Sequence, residues 1–125
     1  MKIRVYYEDT DAGGIVYHTN YIKYCERARS EAFFERGLTP FDGEDSGFIV
    51  KDLKCSFLAS SKLSNLLDVT TRVLKLRGSS MLLLQEIYHD EVKVFSMEIM
   101  LVFVKSGKPS RIPKVYKEFL AEYLI

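Results

Sequence analysis

The stretch NYIKYCERARSEAFFERG, residues 20–37, sets the architecture of the chain, because here apolar residues begin to recur every three or four positions. The apolar stripe consists of Tyr21, Tyr24, Cys25, Ala28, Ala32 and Phe33. This spacing predicts an amphipathic helix of roughly 17 residues, about 25 Å long. Asn20 is a favoured N-cap residue, and Gly37 suits the C′ position after a helix that ends near Arg36.

The residues on either side of this helix alternate between apolar and polar types, as half-buried strands do. One strand is predicted over residues 2–8, with Ile3, Val5 and Tyr7 on one face. Four more are predicted over residues 48–57, 67–73, 81–88 and 93–105. The first of these four is predicted to carry Ile49, Leu53, Cys55 and Phe57 on one face. A short terminal helix is predicted over residues 113–123, with Pro113 at its first position.

Short turns join several of these strands, which favours antiparallel pairing because parallel strands need long crossovers. The order of elements therefore predicts an α+β fold, a single domain over residues 1–125 in which an antiparallel sheet wraps around one helix.

The composition excludes several classes of protein. The chain has 125 residues, 47% of them hydrophobic, which is typical of a soluble globular domain. Its formal net charge is +1, which gives no support for a nucleic-acid-binding protein. The two cysteines, Cys25 and Cys55, lack metal-ligand spacing and are interpreted as inert core thiols in a reduced compartment. No signal peptide or membrane-length apolar run is visible, so a cytoplasmic location is expected.

An acidic, glycine-rich loop precedes the helix, EDTDAGGIVYHTN over residues 8–20. Aspartate and glycine are common loop formers, so a purely structural turn is one interpretation. A calcium loop fits Asp9, Asp11 and Gly14 at its first, third and sixth positions, but Asn20 stands where the bidentate glutamate is needed. A phosphate-binding loop is excluded because its glycine spacing and its Gly-Lys-Ser/Thr are missing. A paired-carboxylate site stays open, although no second carboxylate across a cleft is indicated.

Acyl transfer is a further interpretation of the same loop. Asp11 can act as nucleophile or general base toward a carbonyl carbon. Gly13 and Gly14 carry no Cβ, so a substrate can approach their backbone closely. A helix that begins just beyond offers free N–H groups to a developing oxyanion. His18 can orient a water, the carboxylate or the substrate, or it can be a loop histidine bonded to backbone.

Residues 9–21, DTDAGGIVYHTNY, followed by Glu26-Arg27-Ala28-Arg29, resemble the motif of hotdog-fold acyl-CoA thioesterases. The broad family is that of 4-hydroxybenzoyl-CoA thioesterase, and residues 6–18 are closest to its YbgC-type branch, whose genes accompany the bacterial Tol-Pal system. The resemblance implies a curved five-stranded sheet around the central helix. It also implies that Asp11 is the catalytic carboxylate, that Tyr7 and His18 support it, and that the backbone at Gly14, Tyr17 and His18 shapes the oxyanion site.

The resemblance further implies an acyl-CoA substrate, or a thioester of acyl carrier protein, and no cofactor or metal. It implies a homodimer or homotetramer that pairs its sheets, with the sites at the dimer interface. His18 and Ala12-Gly13 replace the tyrosine and Pro-Ala of the 4-hydroxybenzoyl branch, which favours a broader or aliphatic acyl group. Two alternatives stay open: a non-catalytic binder of acyl-CoA or acyl carrier protein at an envelope complex, and a hotdog dehydratase.

Overall fold

The computed structural model describes all residues from 1 to 125. Its elements in chain order are β1 (Lys2–Arg4), α1 (His18–Phe34), β2 (Ser46–Phe57), β3 (Leu66–Leu76), β4 (Ser80–His89), β5 (Val92–Lys105), β6 (Lys108–Pro109) and α2 (Lys114–Ala121). A single turn of 3₁₀-helix, Tyr7–Asp9, lies between β1 and α1. The four long strands and both helices lie where the sequence predicts them, to within a few residues.

The sheet has the strand order β1-β3-β4-β5-β2, and every pairing is antiparallel. The two-residue strand β6 adds a short pairing to the end of β5. The sheet curls around α1, so the predicted α+β hotdog fold is confirmed. β2 lies at one edge and has only β5 as a neighbouring strand. Residues 40–42 pair with the outer side of Ser46–Phe48, so the unpaired edge of β2 is the part that follows Phe48.

The core lies between α1 and the concave face of the sheet. Tyr21 of α1 stacks on Phe95 of β5 with ring centroids 5.3 Å apart, and Phe33 meets Phe119 of α2 at 5.1 Å. Cys25 is fully buried on the same helical face. The stripe of apolar residues read from the sequence therefore faces the sheet, and its burial holds the helix in place.

A buried glutamine also fastens the helix to the sheet. Gln85 of β4 is fully buried, and its Nε2 donates to the Cys25 carbonyl at 2.8 Å and to Thr71 Oγ1 of β3 at 3.1 Å. Arg29 of α1 donates to Gln85 Oε1 at 3.2 Å. These bonds satisfy polar groups that are costly to bury unpaired.

The structure corrects the predicted first strand. β1 ends at Arg4, and the 3₁₀ turn replaces the remainder of the predicted strand over residues 2–8. Ile3 and Val5 are buried as expected, but Tyr7 is 82% exposed rather than on their face. The cause is a local hydrogen bond from the Tyr6 N–H to Asp9 Oδ2 at 2.9 Å, which turns the chain away from the sheet.

Three further predictions need correction. The helix begins at His18, with Tyr17 as its N-cap, so Asn20 lies in the first turn and is not the cap. A β-bulge between Val50 and Asp52 shifts the register of β2 on β5, which places Ile49 on the opposite face from the other three residues predicted to share it. Pro113 is the N-cap of α2, one position before its predicted place. No helix of the structure is both long and apolar enough to cross a membrane.

Candidate functional site

The acidic loop folds as a tight hairpin between the 3₁₀ turn and α1. The Asp11 N–H donates to the Ile15 carbonyl at 2.8 Å, and the Gly14 N–H donates to the Asp11 carbonyl at 3.0 Å. Gly14 has φ +80°, a left-handed conformation that glycine adopts without steric cost. This closure requires glycine at position 14 and places Asp11 at the tip of the loop.

Asp11 is exposed in the single chain. Its Oδ1 accepts a hydrogen bond from the Gly13 N–H at 2.8 Å, which is the local Asx-type bond that an aspartate makes in a loop. A Cβ at Gly13 would lie 3.2 Å from Asp11 Oδ1, so glycine there leaves room for the carboxylate. Asp11 Oδ2 has no hydrogen-bond partner within the chain, so one carboxylate oxygen is free to act on a ligand.

The N-terminus of α1 lies beside this loop. The Tyr17 N–H donates to the Asp9 carbonyl at 2.9 Å, and the Tyr17 side chain makes no capping hydrogen bond. No hydrogen bond links the His18 or Thr19 N–H to the preceding loop. Both amides are among the free donors at the positive end of a 17-residue helix. They are available to a ligand oxygen, as the sequence predicts.

An apolar groove of about 320 Å³ opens next to this helix terminus. It is lined by Ile15, Val16, His18, Tyr21, Phe57, Leu58, Ala59 and Ser60. The exposed His18 ring packs at 4.7 Å from Tyr17 and at 5.9 Å from Phe57. A groove with apolar walls and free amides at one end suits a ligand with a hydrocarbon arm and a carbonyl oxygen.

The structure brings only some of the predicted site residues together. His18 lines the groove, and Tyr17 packs against the His18 ring without lining the groove itself. The loop that carries Asp11 and Gly14 leads into the groove through Ile15 and Val16. Tyr7 does not line the groove of the single chain; its carbonyl accepts bonds from the Thr10 N–H and hydroxyl. The roles predicted for Asp11, Tyr7, His18, Gly14 and Tyr17 stay predictions.

Two residues at the site were missed by the sequence analysis. Asp9 is only 4% exposed, and its Oδ1 accepts a hydrogen bond from Asn20 Nδ2 at 2.9 Å. From the sequence, Asn20 is expected to cap the helix, and Asp9 is one of two similar loop aspartates. No periodic signal separates the two aspartates, because residues two apart lie on the same face of an extended chain. The 3₁₀ turn over Tyr7–Asp9 gives them different surroundings, and the sequence does not predict that turn.

Tyr24 of α1 lies close enough to Asp9 for the carboxylate to act on its hydroxyl. The Tyr24 hydroxyl and Ser61 Oγ are buried without hydrogen-bond partners. Burial, and next the charge of Asp9, raise the pKa of the Tyr24 hydroxyl well above its ordinary value. The Ser61 carbonyl accepts the Val16 N–H at 2.8 Å, which anchors the far side of the loop. No group of three or more histidine, cysteine or acidic side chains is arranged to hold a metal.

A second cavity, of about 470 Å³, lies further along α1. It is lined by Glu26, Arg29, Ser30, Phe33, Phe34, Thr39, Pro40, Phe41, Phe48, Val50 and Leu101. Its walls come from α1, from residues 39–41, from the N-terminal half of β2 and from Leu101 of β5. The groove at His18 instead adjoins the C-terminal end of β2. The two concavities therefore lie toward opposite ends of the same edge strand.

Comparisons with known proteins agree on one family. Residues 5–121 match the family model described as thioesterase-like superfamily. An acyl-CoA thioesterase YbgC of Helicobacter pylori strain J99 is 42% identical over 132 residues, covering 97% of this chain and 98% of the relative. An acyl-CoA thioester hydrolase YbgC of Escherichia coli strain CFT073 is 35% identical, covering 90% of this chain and 87% of the relative. A crystal structure of a probable thioesterase from Bartonella henselae superposes with a TM-score of 0.83 at 32% identity, covering 90% of this chain and 97% of that one.

Proposed function

The chain belongs to the thioesterase-like superfamily, and from that premise we propose that it is an acyl-CoA thioesterase, which hydrolyses acyl-CoA thioesters to free acid and coenzyme A. The YbgC relatives that match nearly its whole length are named for this activity. The observation that carries the proposal is the juxtaposition of a loop carboxylate, free helical amides and an apolar groove.

The proposed reaction uses Asp11 as general base or as nucleophile. As a base, Asp11 takes a proton from water while the water oxygen attacks the thioester carbonyl carbon. The carbon–sulfur bond then breaks, and the thiolate leaves with a proton as coenzyme A. As a nucleophile, an Asp11 oxygen attacks the carbonyl carbon, the carbon–sulfur bond breaks, and the coenzyme A thiolate leaves as an acyl–Asp11 anhydride forms. Water then hydrolyses the anhydride, which frees the acid, regenerates the Asp11 carboxylate and supplies the proton that the thiolate takes up. Both routes yield the same products.

The N-terminus of α1 supplies the proposed oxyanion site. The free N–H of His18 donates to the carbonyl oxygen, whose negative charge grows as the tetrahedral intermediate forms. The helix dipole acts in the same direction. The backbone at Gly14 and Tyr17 shapes this space, and the His18 ring and Tyr7 orient the water or the carboxylate. The groove between His18 and Phe57 receives an apolar part of the substrate.

The exposed edge of β2 supports a homodimer with sites at its interface. Ile49, Val50, Leu53 and Phe57 of this strand are each at least 39% exposed, which is a large apolar surface for an edge strand. Two copies related by a twofold axis pair this edge antiparallel. The groove beside Phe57 of one copy then approaches the 470 Å³ cavity beside Phe48 of the other. An acyl chain can occupy this continuous space. Pairs of dimers give the homotetramer.

A coenzyme A substrate also needs cations near the mouth of the site. Lys62 is exposed and pairs through its backbone with Ile15, at the base of the loop that carries Asp11. Its ammonium group is the candidate for a phosphate of coenzyme A. A thioester of acyl carrier protein is the other possible donor. The enzyme is proposed to act in the cytoplasm, alongside the Tol-Pal system.

One observation favours the non-catalytic alternative, a binder of acyl-CoA or acyl carrier protein. Asp11 Oδ1 is engaged by the Gly13 N–H, and the carboxylate is exposed in the single chain. A structural loop aspartate has this geometry too. The alternative predicts binding without turnover, so kinetics separate the two functions.

The test is release of free thiol from a panel of short, long and aromatic acyl-CoAs by wild type, Asp11→Asn and Asp11→Ala. We expect wild type to turn over at least one substrate, and both variants to lose about 100-fold or more in kcat with little change in KM. Glu8→Gln is the matched control, because Glu8 is an exposed carboxylate in the neighbouring turn. Absence of turnover by wild type across the panel, with retained acyl-CoA binding, would establish the binder instead.

A further inference from the structure

Asp9 is a buried carboxylate that the proposed reaction does not use. It is 4% exposed, and no lysine, arginine or histidine lies within salt-bridge distance of it. Burying an ionised carboxylate is costly unless hydrogen bonds compensate the lost hydration. Two hydrogen bonds reach the Asp9 carboxylate, and a third reaches its main-chain carbonyl. The three partners come from different parts of the site.

The partners lie before the loop, after the loop and inside the helix. Asp9 Oδ2 accepts the Tyr6 N–H, and its main-chain carbonyl accepts the Tyr17 N–H, both at 2.9 Å. Asp9 Oδ1 accepts Asn20 Nδ2, also at 2.9 Å. One residue therefore closes the base of the loop 10–16 and fixes that base to the first turn of α1.

Asp9 joins the loop to the N-terminus of α1, and each of these two segments carries one of the groups proposed to act on the thioester. Asp11 is carried by the loop, and the His18 N–H belongs to the helix terminus. The 3₁₀ turn and the loop make few other bonds to α1, since no hydrogen bond reaches the His18 or Thr19 N–H from the loop. The loop has its own closing bonds, such as that from the Asp11 N–H to the Ile15 carbonyl, but the side-chain bonds that join its base to α1 are those of Asp9.

We propose that Asp9, through Asn20, is a positioning residue that sets Asp11 against the N-terminus of α1. This inference rests on the proposed thioesterase function. A catalytic group misplaced by about 1 Å can cost on the order of 100-fold in rate, so the bonds of Asp9 should matter to kcat more than to KM. Asp9 itself does not touch the substrate.

The carboxylate of Asp9 and the amide of Asn20 can be exchanged between the two positions, which makes the inference testable. In Asp9→Asn, the new amide presents one oxygen to two donors, so either the Tyr6 N–H or Asn20 Nδ2 faces another N–H. In Asn20→Asp, two carboxylates face each other in a buried space. In the double variant, the amide at position 9 can accept the Tyr6 N–H and donate to the carboxylate at position 20. Both hydrogen bonds are then restored, and the bond between positions 9 and 20 runs in the opposite direction.

The experiment measures kcat and KM of the two single variants and of the double variant, with the best acyl-CoA of wild type. Each single variant is expected to lose at least tenfold in kcat with KM within about threefold, and the double variant to recover at least half of that loss on a logarithmic scale. Circular dichroism and urea midpoints confirm that the compared proteins are folded. Wild-type kcat in folded Asp9→Asn, or a double variant no better than the worse single variant, would overturn the proposal.

A second readout does not depend on activity. Hydrogen–deuterium exchange of the peptide covering residues 10–17 should be at least tenfold faster in Asp9→Asn and return toward the wild-type rate in the double variant. Exchange unchanged in Asp9→Asn would also overturn the proposal, even in a protein whose wild type released no thiol. Glu8→Gln, which removes a nearby exposed charge, should change neither readout.

Discussion

Replacing Gln85 by leucine tests how α1 is fastened over the sheet. Gln85 is fully buried and makes three hydrogen bonds, to the Cys25 carbonyl, to Thr71 Oγ1 and from Arg29. Leucine fills a similar volume but can make none of them. The Cys25 carbonyl and the half-buried guanidinium of Arg29 then lose a partner that water cannot fully replace.

The expected loss can be worked out bond by bond. Each of the two bonds donated by Gln85 Nε2 is worth about 1 kcal/mol net, and the bond from the charged Arg29 about 1.5 kcal/mol because it is long at 3.2 Å. The leucine recovers about 1 kcal/mol through its larger apolar surface. The free energy of unfolding should therefore fall by about 2–3 kcal/mol, which lowers Tm by roughly 10 °C in a domain of this size.

The assay is urea unfolding followed by circular dichroism at one fixed protomer concentration, since self-association shifts apparent stability. Thr71→Val is the matched control, because it removes one acceptor of the same network and should cost about 1 kcal/mol. A Gln85→Leu protein as stable as wild type, or more stable, would refute the reasoning and would show that apolar packing alone holds the helix.

Three other predictions concern charge, reactivity and backbone. Burial opposes ionisation of Glu86, but the ammonium of Lys93 and the guanidinium of Arg72 outweigh it and hold the pKa of that carboxyl below its ordinary value. The ionised carboxyl therefore stabilises the fold above about pH 4.5, and this effect is lost as the pH falls through the lowered pKa. In urea titrations, Glu86→Gln should lower the free energy of unfolding by about 1–2 kcal/mol at pH 7 and by progressively less below pH 4.5. A difference that stays constant down to pH 2 would contradict this. Burial raises the pKa of the Cys25 thiol to about 12. Mass spectrometry should therefore show no alkylation of Cys25 by iodoacetamide at pH 8 until urea unfolds the chain. Rapid alkylation of the native protein would contradict the burial of this thiol. Gly14→Ala should lower the free energy of unfolding by about 1 kcal/mol, because alanine is strained at the positive φ of this position. Gly78→Ala is the control and should be near neutral in thermal unfolding, because Gly78 lies in open space and lacks that conformation. Equal Tm values of the two variants would contradict the predicted strain at position 14.

Periodic segments were predictable because burial imposes their pattern. The stripe of α1 and the alternation of β3, β4 and β5 each reflect one face turned toward a common core. The errors fall where a single local bond overrides the pattern. The strand expected over residues 2–8 is cut short by the bond from the Tyr6 N–H to Asp9, and the bulge near Val50 changes the face of Ile49.

The candidate site was less predictable than the fold. The position of α1 near a glycine-rich loop followed from the sequence, but its first residue did not, since Tyr17 caps the helix without a side-chain bond. Asn20 is a residue type that often caps helices, but here its side chain donates a hydrogen bond to Asp9. Local propensity cannot predict this contact, because the two residues are distant in sequence. The catalytic assignment of Asp11 comes from the resemblance to thioesterases, and its place at a dimer interface is part of the proposed function.

The most direct test is a crystal structure of the assembled wild-type protein with an acyl-CoA analogue in which a methylene group replaces the thioester sulfur. The account predicts that the ketone oxygen lies about 3 Å from the His18 nitrogen, and that an Asp11 carboxylate oxygen lies about 3–3.5 Å from the carbonyl carbon or from a water held against it. A carbonyl bound more than about 6 Å from both groups, with Asp11 still bonded only to Gly13 and facing solvent, would contradict it.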